Sequence, residues 1–503
     1  MSSSFSFRSA WSVLSRRWQW LCWLGFGLGL LWLASRFGLV AGGSDSSGYL
    51  NSAKLMAAGT LETRARIPAE LASDVNILHF TPLGFWPSPR SGFLAPTYPS
   101  GLPLQLAFSR ELLGAHWGQS VLLIGLAGVV PLLVLWCARE MGLSAGTAWV
   151  GAAIVGTSPI FLFCAQQALS DGPATAWCLL SAAAALAAQR TRFVAWGLVC
   201  GGAFSMAVLV RPSNVLMFPA VVLLLGHWKG VVAMGLGGVP GACWFGFYNH
   251  FLYGHPLRTG YADIQNAFET RWVGPSLALY AEWIPRMLSW VVVVLPLAAL
   301  VSIRSRGRIV IALVLWWVAF AGFYAAYSVT HEVWWCLRFL LPAFPAVVLA
   351  ALVGLDNIVQ WMPARFRDRA RVGLIAGLGA IALTSAVAWN RTLHVDVTGR
   401  LDLHYRAAGT WVRDHVPENA VVSCMVTSGA LYYYTSVATL RYDGVSADVA
   451  DRYVQRIRQL NRPIYALLFP FELEPAKAVH GTDGWEKVRQ FGDITLWKLH
   501  AAQ

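Results

Sequence analysis

The sequence predicts a mainly α, polytopic membrane helix bundle of about eleven spans with a small extracytoplasmic α/β domain at its C-terminal end. Three observations predict it. Hydrophobic residues make up 56% of the 503 positions and charged residues only 13%, with a mean hydropathy of +0.53, far from the balance of a soluble globular protein. Apolar runs of roughly the 20 residues needed to cross a bilayer recur from Trp18 to Trp389. Beyond about His394 the chain turns polar and alternates helix-like with strand-like runs.

The spans are expected at Trp18–Val40, Gln119–Ala138, Ser144–Phe163, Leu169–Ala188, Phe193–Val210, Ser213–Gly226, Gly230–Asn249, Pro285–Ile303, Ile309–Tyr327, Phe339–Ile358 and Val372–Trp389. The first has the basic flank of a signal peptide (Arg8, Arg16, Arg17), but it is too long for one and lacks a small-residue cleavage site, so it reads as an uncleaved helix. Short cytoplasmic loops collect Lys and Arg. With the N-terminus inside, each inside loop holds a basic residue: Arg139; Arg190 and Arg192; Lys229; Arg304, Arg306 and Arg308; and Arg365, Arg367, Arg369 and Arg371. This pattern accounts for much of the net charge of +13 as topology signals, and nucleic acid is not an expected partner. Ser213–Gly226 is short for a crossing. An odd number of spans places the tail outside; the expected location is a multi-pass protein of the bacterial inner membrane with its N-terminus cytoplasmic.

Two outside regions are more than connectors. The first loop, 41–118, contains Pro99–Phe108, which is too short for a confident span and reads as an interfacial or re-entrant helix. The tail runs through Leu401–His415, Ala420–Val426, Gly429–Tyr434, Ser446–Leu460, Ile464–Phe469 and a strand at Thr495–Leu499. The domains are therefore 1–393, membrane-embedded, and 394–503, α/β. Seven of the eight cysteines lie in or beside apolar segments and Cys424 stands alone in the tail, so neither a disulfide framework nor a zinc spacing is present.

Ionisable groups at membrane depth cost about 2.5–3.5 kcal/mol on insertion scales and are functional candidates by default. The candidates are Asp45 in Gly42-Gly43-Ser44-Asp45-Ser46-Ser47-Gly48-Tyr49, Asp171 in Ser170-Asp171-Gly172-Pro173, Arg211 before Pro212, and the group His331, Glu332 and Arg338. The topology brings all of them to the outer ends of different helices, and so to one face.

These residues carry a resemblance. Four motifs occur in order: Asp45 just after the first helix, Tyr98-Pro99-Ser100-Gly101-Leu102-Pro103, Ser170-Asp171-Gly172-Pro173, and Arg338-Phe339-Leu340-Leu341-Pro342-Ala343-Phe344-Pro345. With the tail segments Trp411–Pro417 and Gly429–Tyr434, the arrangement resembles the GT-C superfamily of integral-membrane glycosyltransferases, especially the branch of protein O-mannosyltransferases and the aminoarabinose transferase that modifies lipid A. Ser46 departs from the Asp-Glu pair of many protein O-mannosyltransferases, which argues against a protein acceptor and leaves the subfamily open.

The resemblance implies a GT-C fold, a polyprenyl-phosphate-linked sugar donor held partly in membrane lipid, and a glycan, lipid or protein acceptor. The catalytic candidates are Asp45, as general base, and Asp171, expected to orient the acceptor or to position the cations. A free Asp has a pKa near 3.9, and burial beside a lipid phosphate is expected to push it upward. Arg211 and Arg338 are the donor-phosphate ligands, because a guanidinium holds two phosphate oxygens at once; Lys54, Arg64 and Arg66 are further candidates. Tyr49, Tyr98, His331 and Glu332 are expected to bind substrate. No cofactor is required, although Asp45 and Asp171 could together hold a divalent ion. The competing class is a secondary transporter or lipid flippase, which would be expected to show an internal repeat. None is visible.

Overall fold

The computed structural model describes residues 16–71, 75–114, 117–190, 193–261 and 264–500. Arg8, in the basic flank of the first expected span, and Arg192, among the inside-loop basic residues, lie outside them. Among the described residues six helical stretches are long and apolar enough to cross a membrane: Gly118–Glu140, Phe193–Val210, Trp228–Tyr253, Trp290–Ala325, Trp334–Trp361 and Ala364–Thr392. A seventh is a pair, Ala145–Thr157 and Pro159–Ala165, bent by 60°. The bend falls at Ser158, which precedes a proline and is held extended (φ −61, ψ 138).

The differences from the expected eleven spans have local causes. Arg16–Arg36 and Asp171–Ala188 are helical where spans are expected, without joining the six. Ser213–Gly226 becomes a 3-10 turn, Pro212–Met217, leading into the short helix Phe218–Leu225. The expected span Pro285–Ile303 is cut at Ser289 (φ 75), where the helix Val273–Leu288 ends. Trp290–Ala325 then continues for 36 residues, longer than a single crossing requires, with Pro296 and the non-helical Arg306 (φ −122, ψ 24) interrupting it.

The basic loops do meet on one face. Glu140 pairs with Arg190 at 3.3 Å, Arg308 bonds Gln189 and the Gly226 carbonyl, and Arg306 and Arg371 both reach Asp356. Asp356 lies near the end of Trp334–Trp361 opposite Arg338. This stretch is the most enclosed of the six, with 89% of its apolar window buried.

The first loop forms a small antiparallel sheet in the order β1-β3-β2, from β1 (Thr63–Arg64), β2 (Phe85–Pro87) and β3 (Phe93–Pro96). The helix Gly101–Leu113 follows, where an interfacial or re-entrant helix is expected. Its first turns are buried, while Phe108, Leu112 and Leu113 are exposed. The tail forms a five-stranded sheet in the order β5-β4-β6-β8-β7, from β4 (Val421–Ser423), β5 (Ala438–Leu440), β6 (Ile464–Leu468), β7 (Trp485–Phe491) and β8 (Ile494–Leu499). The β4–β5 and β4–β6 pairs are parallel and the β6–β8 and β7–β8 pairs antiparallel. β4 and β5 are buried at every residue, as parallel strands covered on both faces must be. Helices Leu403–His415, Ser428–Tyr434, Ala447–Gln459 and Pro470–His480 cover the sheet.

Phe193–Val210, which ends at Arg211, packs on Trp228–Tyr253 through glycine. A Cβ on Gly201 would overlap the Met234 carbonyl oxygen and lie 2.7 Å from its carbon, and one on Gly237 would collide likewise with Leu198. Neighbouring helices in a bilayer gain no hydrophobic drive from each other, so this backbone approach supplies the packing between them. Gly201→Val should force the pair apart, lowering the thermal midpoint and the monodisperse yield of detergent-purified protein. Wild-type values for both measures would contradict a close glycine seam.

Candidate active site

Four charged side chains from separate elements converge. Asp45 opens the helix Asp45–Ala57, Asp171 opens Asp171–Ala188, Arg211 lies between Phe193–Val210 and Pro212–Met217, and Arg338 lies in the ten-residue 3-10 stretch Trp334–Ala343. Local sequence fixes each. Pro212 forces Arg211 out of helical conformation (φ −146, ψ 112), which ends the helix there. Pro342 cannot donate a backbone hydrogen bond, and the stretch around it winds as 3-10 well beyond the usual three or four residues. Asp171 sits in the first turn, beside the positive end of its helix dipole.

The charges alternate. Arg338 Nη2 lies 2.6 Å from Asp45 Oδ2 and Nη1 lies 3.9 Å from Asp171 Oδ2, while Asp171 Oδ1 is bonded by Arg211. Two carboxylates and two guanidiniums sum to zero. Asp171 is 2% exposed, Arg211 and Arg338 are 14% and 15%, and Asp45 is the most open at 27%. Both guanidiniums lie 5.2 Å from the Phe339 ring, which separates them from the bundle core. Among the described residues the buried Arg338 Nε has no hydrogen-bond partner.

The other oxygen of Asp45 is also engaged. Tyr98 donates to Oδ1 at 2.6 Å; its single proton is thus used, and Ser44 Oγ donates to the phenol oxygen at 2.5 Å. Burial raises the Asp45 pKa, but the Arg338 charge and the hydrogen bonds from Tyr98 and Arg338, with Arg211 farther off, outweigh it and hold the carboxyl below its ordinary value. The upward shift expected from burial is outweighed by the Arg338 guanidinium paired with Asp45.

Tyr49 donates to Ser170 Oγ at 2.8 Å and packs against Tyr98 with ring centroids 4.8 Å apart. Tyr261 meets Tyr98 edge-on at 6.2 Å, and Tyr324 donates to Ser213 Oγ and stacks on Phe339. Sequence reasoning missed Phe339, Tyr261 and Tyr324. Phe339 could have been found beside Arg338 in its motif, whereas Tyr261 comes from a loop without periodicity.

The remaining candidates lie elsewhere. His331 and Glu332 line an open cleft of about 450 Å³ with Glu282, Trp283 and Trp334, and His331 stacks on Trp272 at 4.6 Å. Lys54 donates to the Tyr433 carbonyl at 3.3 Å, Arg66 donates to those of Thr435 and Tyr432, and Arg64 lies over the Phe93 ring. Lys54 and Arg66 thereby satisfy carbonyls at the C-terminal end of Ser428–Tyr434, where cations are favoured. None of the three is bonded to the four-charge cluster. Both carboxylates that might have shared a divalent ion are bonded to guanidiniums, and among the described residues no three His, Cys, Asp or Glu side chains gather as a metal site.

A family model described as dolichyl-phosphate-mannose-protein mannosyltransferase matches residues 118–257. No curated protein sequence matches the chain. The fold is similar to that of ArnT from Cupriavidus metallidurans bound to undecaprenyl phosphate, with a TM-score of 0.60 and 14% identity, covering 97% of this chain and 99% of that one. The apo structure of the same ArnT matches over the same shares at a TM-score of 0.57 and 14% identity. The chain is a multi-pass membrane protein with this fold, in agreement with the resemblance carried by its motifs.

Removing one member of a buried ion pair strands the other, at a cost of about 3–5 kcal/mol, whereas removing both costs far less. Arg211→Met should therefore lower the thermal midpoint more than Asp171→Asn combined with Arg211→Met. A double variant less stable than the single one would show that the pair is not coupled in this way.

Proposed function

We propose that the protein is an integral-membrane glycosyltransferase that moves a sugar from a polyprenyl-phosphate-linked donor to an acceptor hydroxyl at the extracytoplasmic face, with Asp45 as general base. The observation that carries this reading is the buried, charge-neutral Asp45–Arg338–Asp171–Arg211 cluster, which sets two guanidiniums beside a carboxylate. The ArnT fold adds a neighbour whose structure holds undecaprenyl phosphate.

Donor phosphate competes with Asp45 for Arg338, since a guanidinium binds phosphate and carboxylate through the same paired N–H geometry. Once Arg338 turns to the phosphate, Asp45 loses the charge that lowered its pKa and gains an anionic neighbour. Burial is then opposed only by the Tyr98 hydrogen bond and the more distant Arg211, and the carboxylate becomes a stronger base. The acceptor oxygen attacks the anomeric carbon as its proton passes to Asp45. The bond from that carbon to the phosphate oxygen breaks, and the electron pair leaves with polyprenyl phosphate, whose charge Arg211 and Arg338 stabilise. This single displacement inverts the anomeric centre. Tyr98 keeps the carboxylate aimed throughout.

Asp45→Asn should lower transfer by about 10²–10⁴-fold, the usual contribution of a positioned base. It should bind undecaprenyl phosphate at least as tightly as wild type, because Arg338 no longer has Asp45 as a competing anion. Transfer by the purified variant within a few-fold of wild type would remove Asp45 as the base.

The same exchange of partners sets a pH dependence. In the free enzyme Asp45 titrates below its ordinary range and is ionised at neutral pH. In the donor complex it titrates higher. The acid limb of kcat, which reports the complex, should therefore lie at higher pH than that of kcat/KM, which reports the free enzyme. Coincident limbs across a pH series would count against displacement of Asp45 from Arg338.

A further inference from the structure

The helix that begins with Asp45 is held by the tail rather than by the membrane helices alone. Ser428–Tyr434, which follows β4, lies along Asp45–Ala57. Asn51 Nδ2 donates to the Gly429 carbonyl at 3.0 Å, and both residues are buried. The Leu83 amide donates to Ser428 Oγ at 3.0 Å, Lys54 reaches the Tyr433 carbonyl, and the Ala41 amide donates to Tyr434 Oη at 3.1 Å. Contacts from residues 41 to 54 therefore flank Asp45 on both sides in sequence. Gly429 is the closest of them. A Cβ there would fall on Ser47 Oγ, 2.9 Å from Ser47 Cβ and 2.8 Å from the Leu83 carbonyl oxygen, and backbone cannot move aside as a flexible side chain can.

We infer that the C-terminal α/β unit positions the proposed base: Gly429 and Asn51 fix the helix Asp45–Ala57 so that Asp45 meets Arg338. Gly429 is a positioning residue, whose lack of a side chain sets how closely the tail approaches. The kinetic consequence rests on the glycosyltransferase reading above, while the mechanical one does not. Any side chain at 429 displaces Ser47, two residues from Asp45, by roughly an ångström, and a misplacement of that size can cost about 100-fold in rate.

The test is hydrogen exchange on the full chain in nanodiscs, comparing wild type, Gly429→Ala, and Gly429→Ala with Ser47→Gly. Expected are amides in 45–57 exchanging at least about tenfold faster in Gly429→Ala, unchanged exchange in strands of 421–499, and a return toward wild type in the double variant, which removes the collision with Ser47. In the transfer assay Gly429→Ala should lower kcat by about 10- to 100-fold with donor KM within about twofold, again partly restored in the double variant. Unchanged exchange in 45–57, an equal rise in the strands, or a double variant as fast in exchange as the single would overturn the inference. Should Gly429→Ala fail to fold, Asn51→Ala removes only one hydrogen bond and should speed exchange in 45–57 about fivefold; no acceleration would overturn it too. A wild type that transfers no sugar from any polyprenyl-phosphate donor would end the glycosyltransferase reading, and the exchange comparison would still decide the positioning role.

Discussion

The placement of Arg338 between Asp45 and Asp171 is the constraint on which the rest of the site depends. A guanidinium in the most enclosed helical stretch of the bundle could not be held there uncompensated, because an unpaired charge in a low-dielectric interior is penalised by several kcal/mol. Both carboxylates must reach it, and each comes from the first turn of a different helix. Asp171 in turn needs Arg211 for its second oxygen, and Arg211 is available because Pro212 ends the helix there. Four distant sequence segments are thus tied to one electrostatic requirement.

Much of this was legible in the residues. Ionisable groups in apolar surroundings are few, and the alternation of basic loops allotted Asp45, Asp171, Arg211 and Arg338 to one face before any coordinates; Glu140 with Arg190, and Arg306 and Arg371 with Asp356, gather at the opposite end. What the pattern could not convey was pairing. Lys54 and Arg66 have the same chemistry as Arg211, yet they cap the tail helix Ser428–Tyr434, since nothing in a linear sequence tells which carbonyls will need a donor. Helix breaks were similarly hidden. Pro285 read as the start of a span, whereas the chain breaks four residues later at Ser289, a non-glycine residue with positive φ that no local rule marks.

The tail shows the same limit at the level of whole elements. Most of its helical and strand runs were visible, but the helix Pro470–His480, β5, β7 and the sheet order β5-β4-β6-β8-β7 were not. In open α/β sheets the edge above the C-terminal ends of parallel strands commonly receives a ligand. Here the edge after β4 receives the first loop, where the Leu83 amide bonds Ser428. An arrangement that often binds small molecules serves in this chain as a joint between two parts of the same polypeptide.

The neutrality of the four-charge cluster has a consequence for encounter rates. With no net charge, its field fades within a few ångströms, well short of the roughly 8 Å over which physiological salt still permits attraction. A ligand is therefore not drawn in from solution by long-range pull, and capture should depend little on ionic strength. For a molecule anchored in the bilayer that steering is unnecessary: lateral diffusion in two dimensions already delivers its headgroup to the height of the site, and the charges need act only at contact.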